Sequence, residues 1–66
     1  MNLKMKSMRA LLGLSQEDLA KIVGVSRQTI ILIEKDKYNP SLKLCVAIAK
    51  ALNTTLNDLF WEDAHE

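Results

Sequence analysis

Sixty-six residues with 48% hydrophobic and 26% charged side chains are too apolar for a disordered chain, and no apolar run reaches the ~18 residues of a membrane span. A chain this short buries only about 60% of its unfolded surface, so a lone monomer is marginal and pairing with a second copy would add stability. The net charge of +1 conceals a segregation: residues 1–57 carry nine Lys and Arg against four acids, a local +5, whereas Asp58, Glu62, Asp63 and Glu66 make the end acidic. A basic body with an acidic tail held away from it suits a polyanionic partner.

Leu3 to Leu12 reads as helix 1, with Met5, Met8, Leu11 and Leu12 at core spacing and Lys4, Lys6 and Arg9 between them. Gly13 stops it. No apolar stretch backs the charges of MNLKMKSMR, so nothing suggests export and a cytoplasmic location is expected. Ser15 is an N-cap with Asp18 reaching back as a shortened capping box, which starts helix 2 at Gln16. Leu19, Ile22 and Val23 give that helix an apolar stripe, and Gly24, free to take a positive φ, ends it.

Ser26 caps helix 3 only two residues later, so the two helices must cross sharply, with Ala20 small enough to let them approach. At about 100° per residue, Ile30 and Ile33 form the buried stripe of helix 3 and Gln28, Ile31, Leu32 and Lys35 project opposite it. Two short helices joined by such a turn form a helix-turn-helix over about residues 16–35, and the whole of 1–66 reads as one domain around it. In the polar loop KDKYNPS that follows, Pro40 keeps Asn39 out of the helical region and Ser41 caps helix 4. Lys35, Lys37 and Tyr38 flank this loop, either as phosphate donors at the far end of a reading helix or as solvated side chains.

Helix 4, Ser41 to Leu52, is apolar apart from Lys43 and Lys50 and reads as the central core helix. Cys45 aligns there with Leu42, Ile48, Ala49 and Leu52, the position of a small buried hydrophobe rather than a redox sensor. Asn53 ends the helix, and Thr54 caps a short helix 5 whose apolar face is Leu56, Leu59 and Phe60. Phe60 and Trp61 either close the core or form half of an interface between copies. A single cysteine and a near-terminal His65 provide no metal-ligand spacing, so neither metal nor cofactor is expected. The chain also lacks a Ser/His/Asp or Cys/His set, a phosphate-cradling glycine loop and an acidic metal cluster, which excludes an enzyme.

From Met5 to Phe60 the sequence resembles the phage-repressor-like, Cro-type helix-turn-helix regulators, also called the xenobiotic-response-element family. The resemblance is carried in order by Arg9, LSQEDLA, Gly24, VSRQTI, Ile33 with Glu34, KYNPSL and LNDLF, and is strongest toward small members of the cytolysin-repressor type. It implies an all-α, compact, five-helix, lambda-repressor-like DNA-binding domain, with room for short terminal β-strands. It further implies that helix 3 enters the major groove of double-stranded DNA with Arg27, Gln28 and Thr29 leading and Gln16 at the phosphates. The expected contact set is then Gln16, Ser26, Arg27, Gln28, Thr29, Ile31, Leu32, Lys35, Lys37 and Tyr38.

The resemblance pairs Arg9 with Glu34 as a structural ion pair, the alternative for Arg9 being a phosphate contact. Small members of the family pair about a two-fold axis near helix 5, which implicates Asn39, Pro40, Leu56, Phe60 and Trp61 in a homodimer. Two departures stand out. Ile31 and Leu32 replace the usual polar or small residues and could meet thymine methyls or a partner. Asp36 stands where a glycine is common, but Asp tolerates the left-handed region better than most residues. The expected function is a transcription regulator, a repressor on a palindromic operator; the alternative is an antitoxin or adaptor that binds a protein partner.

Overall fold

A computed structural model describes residues 2–61, with the backbone alone for Trp61. Four α-helices follow one another, α1 (Leu3–Leu11), α2 (Gln16–Val23), α3 (Arg27–Glu34) and α4 (Leu42–Ala51), and a π-helical turn at Asn57–Trp61 closes the described chain. Each begins on a side-chain oxygen that satisfies an otherwise orphaned N–H. Asn2 Oδ1 accepts from Met5 N–H at 2.9 Å, and Ser26 Oγ and Ser41 Oγ accept from Thr29 and Leu44 at 3.2 Å each. At α2 the box is reciprocal: Ser15 Oγ accepts from Asp18 N–H, and Asp18 Oδ2 accepts from Ser15 N–H, both at 3.0 Å. Caps of this kind stabilise by roughly 1 kcal/mol each.

The four α-helices also end alike. A left-handed residue follows each one, Gly13, Gly24, Asp36 or Asn53, with φ of 69°, 80°, 59° and 57°. The next N–H then reaches back five residues: Leu14 to the Arg9 carbonyl, Val25 to Ala20, Lys37 to Leu32 and Thr54 to Ala49, at 2.8 to 3.0 Å. This is the Schellman closure, which suits glycine and, among other residues, Asn and Asp. At Gly24 an added Cβ would meet nothing within 4 Å, so the dihedral rather than crowding favours glycine there.

Met5, Leu19, Ile30, Ile48 and Leu52 are fully buried, and Ala20, Ile33, Ala49 and Leu59 complete the core around them. Each large side chain so buried is worth about 1.5 to 3 kcal/mol. Helix α2 packs on both α3 and α4, while α1 lies against α3 and the final turn. Cys45 is buried, its Sγ 3.9 Å from the Pro40 carbonyl, and that burial pushes the thiol pKa up. It is the small core residue its helical position predicted.

Several expected core residues lie outside. Leu11 is 81% exposed and Leu12 is exposed too, because α1 ends at Leu11 and the turn at Gly13 carries its last residues past their neighbours. Ile22 is 57% exposed: the packed face of α2 centres on Leu19, Ala20 and Val23, and Ile22 lies about 200° around the helix from Ala20. Leu42 is 61% exposed in the first turn of α4, before that helix meets the core. Thr55 rather than Thr54 caps the last turn, its Oγ1 accepting from Asp58 N–H at 3.1 Å, since Thr54 still belongs to the closure of α4 and the helical turn starts only at Leu56. No β-strand occurs among the described residues. Glu62, Asp63, His65, Glu66 and the Trp61 side chain lie outside them, as would any strand formed by that end.

Candidate nucleic-acid interface

Only Gly24, Val25 and the cap Ser26 separate α2 from α3, and Ala20, 2% exposed, lies on the packed face of α2. This close crossing leaves one side of α3 outward. Ser26 and Thr29 hold its first turn through a 3.0 Å contact between their hydroxyls, and Thr29 is half-buried. Arg27 and Gln28 stand exposed on that turn, a guanidinium and an amide that can each make paired hydrogen bonds to base edges. Ile31 and Lys35 follow Gln28 at i+3 and i+7, which continues one face along the helix. Ile31 and Leu32 are both half-buried rather than fully outward. Lys37 and Tyr38 are exposed beyond the left-handed turn at Asp36.

The far end of α3 is anchored from below. Arg9 Nε donates to Glu34 Oε2 at 2.9 Å and Nη2 to Oε1 at 3.3 Å, while Nη1 donates to the Leu14 carbonyl at 3.0 Å. Both side chains are largely buried, at 13% and 7% exposure, which brings together the two residues that the resemblance pairs. Gln16, expected at the phosphates, donates one amide N–H to Glu34 Oε1 at 3.1 Å. A shared carboxylate thus joins the start of α2, the end of α3 and α1.

Asn2 is a further part of this frame that sequence reasoning passed over. Its backbone N–H donates to the Glu34 carbonyl at 2.8 Å and its side-chain Nδ2 to the Leu59 carbonyl at 3.1 Å. An Asn directly before the first periodic leucine signals a helix cap. Nothing in the sequence signals the two distant bonds.

Among the described residues, hollows flank α3 on two sides. A smaller one of about 130 Å³ is lined by Asn2, Lys6, Gln16, Ile31, Glu34 and Lys35. The larger, about 440 Å³, lies between the loop after α3 and the final turn. It brings together Asn39, Pro40 and Phe60 from the expected dimer set, with Lys37 and Tyr38 beside them. Leu56 does not line it; Leu56 and Phe60 both pack half-buried against the core. Among the described residues no group of His, Cys, Asp and Glu could hold a metal ion, and no helix is long and apolar enough to cross a membrane.

A helix-turn-helix family model matches residues 5–59, from α1 into the final turn. The chain belongs to the helix-turn-helix family of DNA-binding transcription regulators. The regulator is 61% identical over 61 residues to an uncharacterized helix-turn-helix-type transcriptional regulator of Methanocaldococcus jannaschii, covering 91% of this chain and 92% of that one. It is 50% identical over 58 residues to an uncharacterized regulator of the same type from Bacillus subtilis, covering 88% of each. An immunity repressor protein of Bacillus phage phi105 is 35% identical over 60 residues, covering 91% of the regulator and 42% of the repressor. The regulator and these relatives form a DNA-binding family, not an enzyme family.

Proposed function

We propose that the regulator is a repressor that binds a palindromic operator as a homodimer, with α3 in the major groove. The observation that carries this reading is the first turn of α3, where Arg27 and Gln28 stand exposed on a helix braced from behind by Ile30, Ile33 and the Arg9–Glu34 pair. Recognition requires such a rigid mount, because paired hydrogen bonds to a base edge tolerate little misplacement. Lys35, Lys37 and Tyr38 then meet phosphates and set the register, with Ser26 and Thr29 holding the leading turn. The similarity to a phage immunity repressor supports repression as the outcome.

Pairing runs through the final turn and the loop before α4, with Asn39, Pro40, Leu56, Phe60 and Trp61 at the interface. The hollow that Asn39, Pro40 and Phe60 share supports it, as does the small core of a 66-residue chain. The whole chain acts as a single domain in the cytoplasm. Selection of bound sites from random-sequence duplex DNA tests the proposal. It should return inverted half-sites one helical turn apart, about 34 to 36 Å. An unenriched pool would overturn it and favour an antitoxin or adaptor that acts on a protein.

A further inference from the structure

We propose that Asn2 is a positioning residue that sets the separation of the two reading helices in the DNA-bound dimer, by tying the end of α3 to the turn through which the copies pair. The inference rests on the homodimer reading and adds to it a residue outside both the DNA-contact set and the pairing set. Three groups of Asn2 reach three elements. Its backbone N–H donates to the carbonyl of Glu34, the last residue of α3, at 2.8 Å. Its Oδ1 caps α1 by accepting from Met5 N–H at 2.9 Å. Its Nδ2 donates at 3.1 Å to the Leu59 carbonyl, which belongs to the peptide unit leading into Phe60 and so into the proposed pairing surface.

The residue type fits that task. The other three α-helices begin on Ser15, Ser26 and Ser41, whose hydroxyls suffice for capping. At α1 stands a primary amide, which carries its acceptor and its donors on separate atoms and can serve two elements at once. The packing runs along the same line. Helix α1 lies against both α3 and the final turn, and Leu59, 3% exposed, seats that turn in the core. On the α3 side Glu34 is gripped a second time from α1, by Arg9 at 2.9 Å. Asn2 and α1 thus form a strut between the reading helix and the pairing turn. In a two-fold dimer any shift of the turn relative to α3 occurs in both copies. It therefore changes the distance and twist between two helices that must match half-sites about 34 to 36 Å apart.

The test compares, by fluorescence anisotropy, affinity for the selected operator with affinity for operators whose half-sites are moved one base pair, about 3.4 Å, closer together or further apart. The parent should prefer the selected spacing. Asn2→Ser and Asn2→Asp each keep an oxygen for Met5 N–H and lose the amide donor to Leu59. Each should lower the ratio of affinities between selected and altered spacings by about fivefold, the factor that one neutral hydrogen bond of ordinary strength supplies. Affinity for a duplex with one half-site should stay at the parent value, and both variants should still sediment as dimers. Ile48→Val, which removes a buried methylene from α4, should lower the melting midpoint and keep the parent's ratio, so lost stability alone does not reproduce the effect. The parent's ratio retained in both Asn2 variants would overturn the positioning role and leave the homodimer intact. Variants that sediment as monomers beside a dimeric parent would also overturn it, by placing Asn2 in pairing itself. A monomeric parent would overturn the homodimer reading and this inference with it.

Discussion

Arg9 meets Glu34 side-on across 25 residues of sequence, with Nε and Nη2 donating to the two carboxylate oxygens at 2.9 and 3.3 Å. The pair fastens α1 to the last residue of the helix proposed to read DNA. Removing the arginine would leave the Glu34 carboxylate, 7% exposed, with Gln16 as its remaining side-chain partner. Arg9→Met should therefore cost about 3 to 5 kcal/mol. For a domain of this size each kcal/mol lowers the melting midpoint by about 4 to 8 °C, so a scan should show a drop well above 10 °C. An unchanged midpoint with lost DNA affinity would move Arg9 from the frame to the interface.

Gln28 and Lys37 should differ in kind. Gln28→Ala is expected to cost ~1 to 3 kcal/mol on the selected operator and to relax its preference at one base pair. Lys37→Ala should weaken selected and random duplexes alike and flatten the salt slope by about 0.9 per copy. Titrating both variants against both duplexes at fixed salt separates the roles. If Gln28→Ala leaves both affinities untouched, α3 is not the reader.

Trp61 bears on pairing. Sedimentation of the parent at micromolar concentration should show a dimer, and Trp61→Ala should shift it toward monomer. The parent's melting midpoint should also rise with protein concentration, as mass action requires when folding and pairing are coupled. A parent that sediments as a monomer removes the basis for a palindromic site.

Asp18 makes the start of α2 sensitive to acid. The Ser15 backbone N–H, and after it the Ser15 hydroxyl, hold its carboxyl below the ordinary value of 3.8. A carboxylate whose folded pKa is depressed adds stability that is fully present above its unfolded pKa and is lost as pH falls through the folded one. Parent and Asp18→Ala should thus differ by a constant margin in thermal midpoint at neutral pH, and the margin should shrink below pH 3.8. A margin independent of pH down to pH 2 would show that the charge contributes nothing.

Helix starts were readable from single residues, because Ser15, Ser26 and Ser41 act through bonds three residues away. Helix ends were readable for the same reason: Gly13, Gly24, Asp36 and Asn53 announce the left-handed turn locally. Burial was less so. Ile22 and Leu42 fit a helical stripe but face away from the core, since periodicity fixes relative direction along one helix and not where its neighbours lie. At the site, exposed Gln28 and Lys35 followed from the stripe of Ile30 and Ile33, whereas Arg27 came from the resemblance, and Ile31 and Leu32, read as outward, are half-buried. The bond from Gln16 to Glu34 and the meeting of Lys6 with Ile31 and Lys35 depend on three helices converging, which spacing along the chain does not encode.

The clasp between Asn2 and Leu59 bears on the order in which the chain folds. Its hydrogen bond joins residues 57 apart, and closing a loop of that length in a flexible chain costs on the order of 3 to 4 kcal/mol. A single neutral hydrogen bond returns only about 0.5 to 1.5 kcal/mol. The clasp therefore cannot gather the two ends itself. It should form after α2 has docked on α3 and α4 and brought them together, and should be among the first long-range ties to release when the molecule breathes. Amide protons of the final turn should exchange with solvent before those of α2, so the surface proposed for pairing belongs to the least persistent part of the fold, and a second copy docked there would steady the ends of both chains.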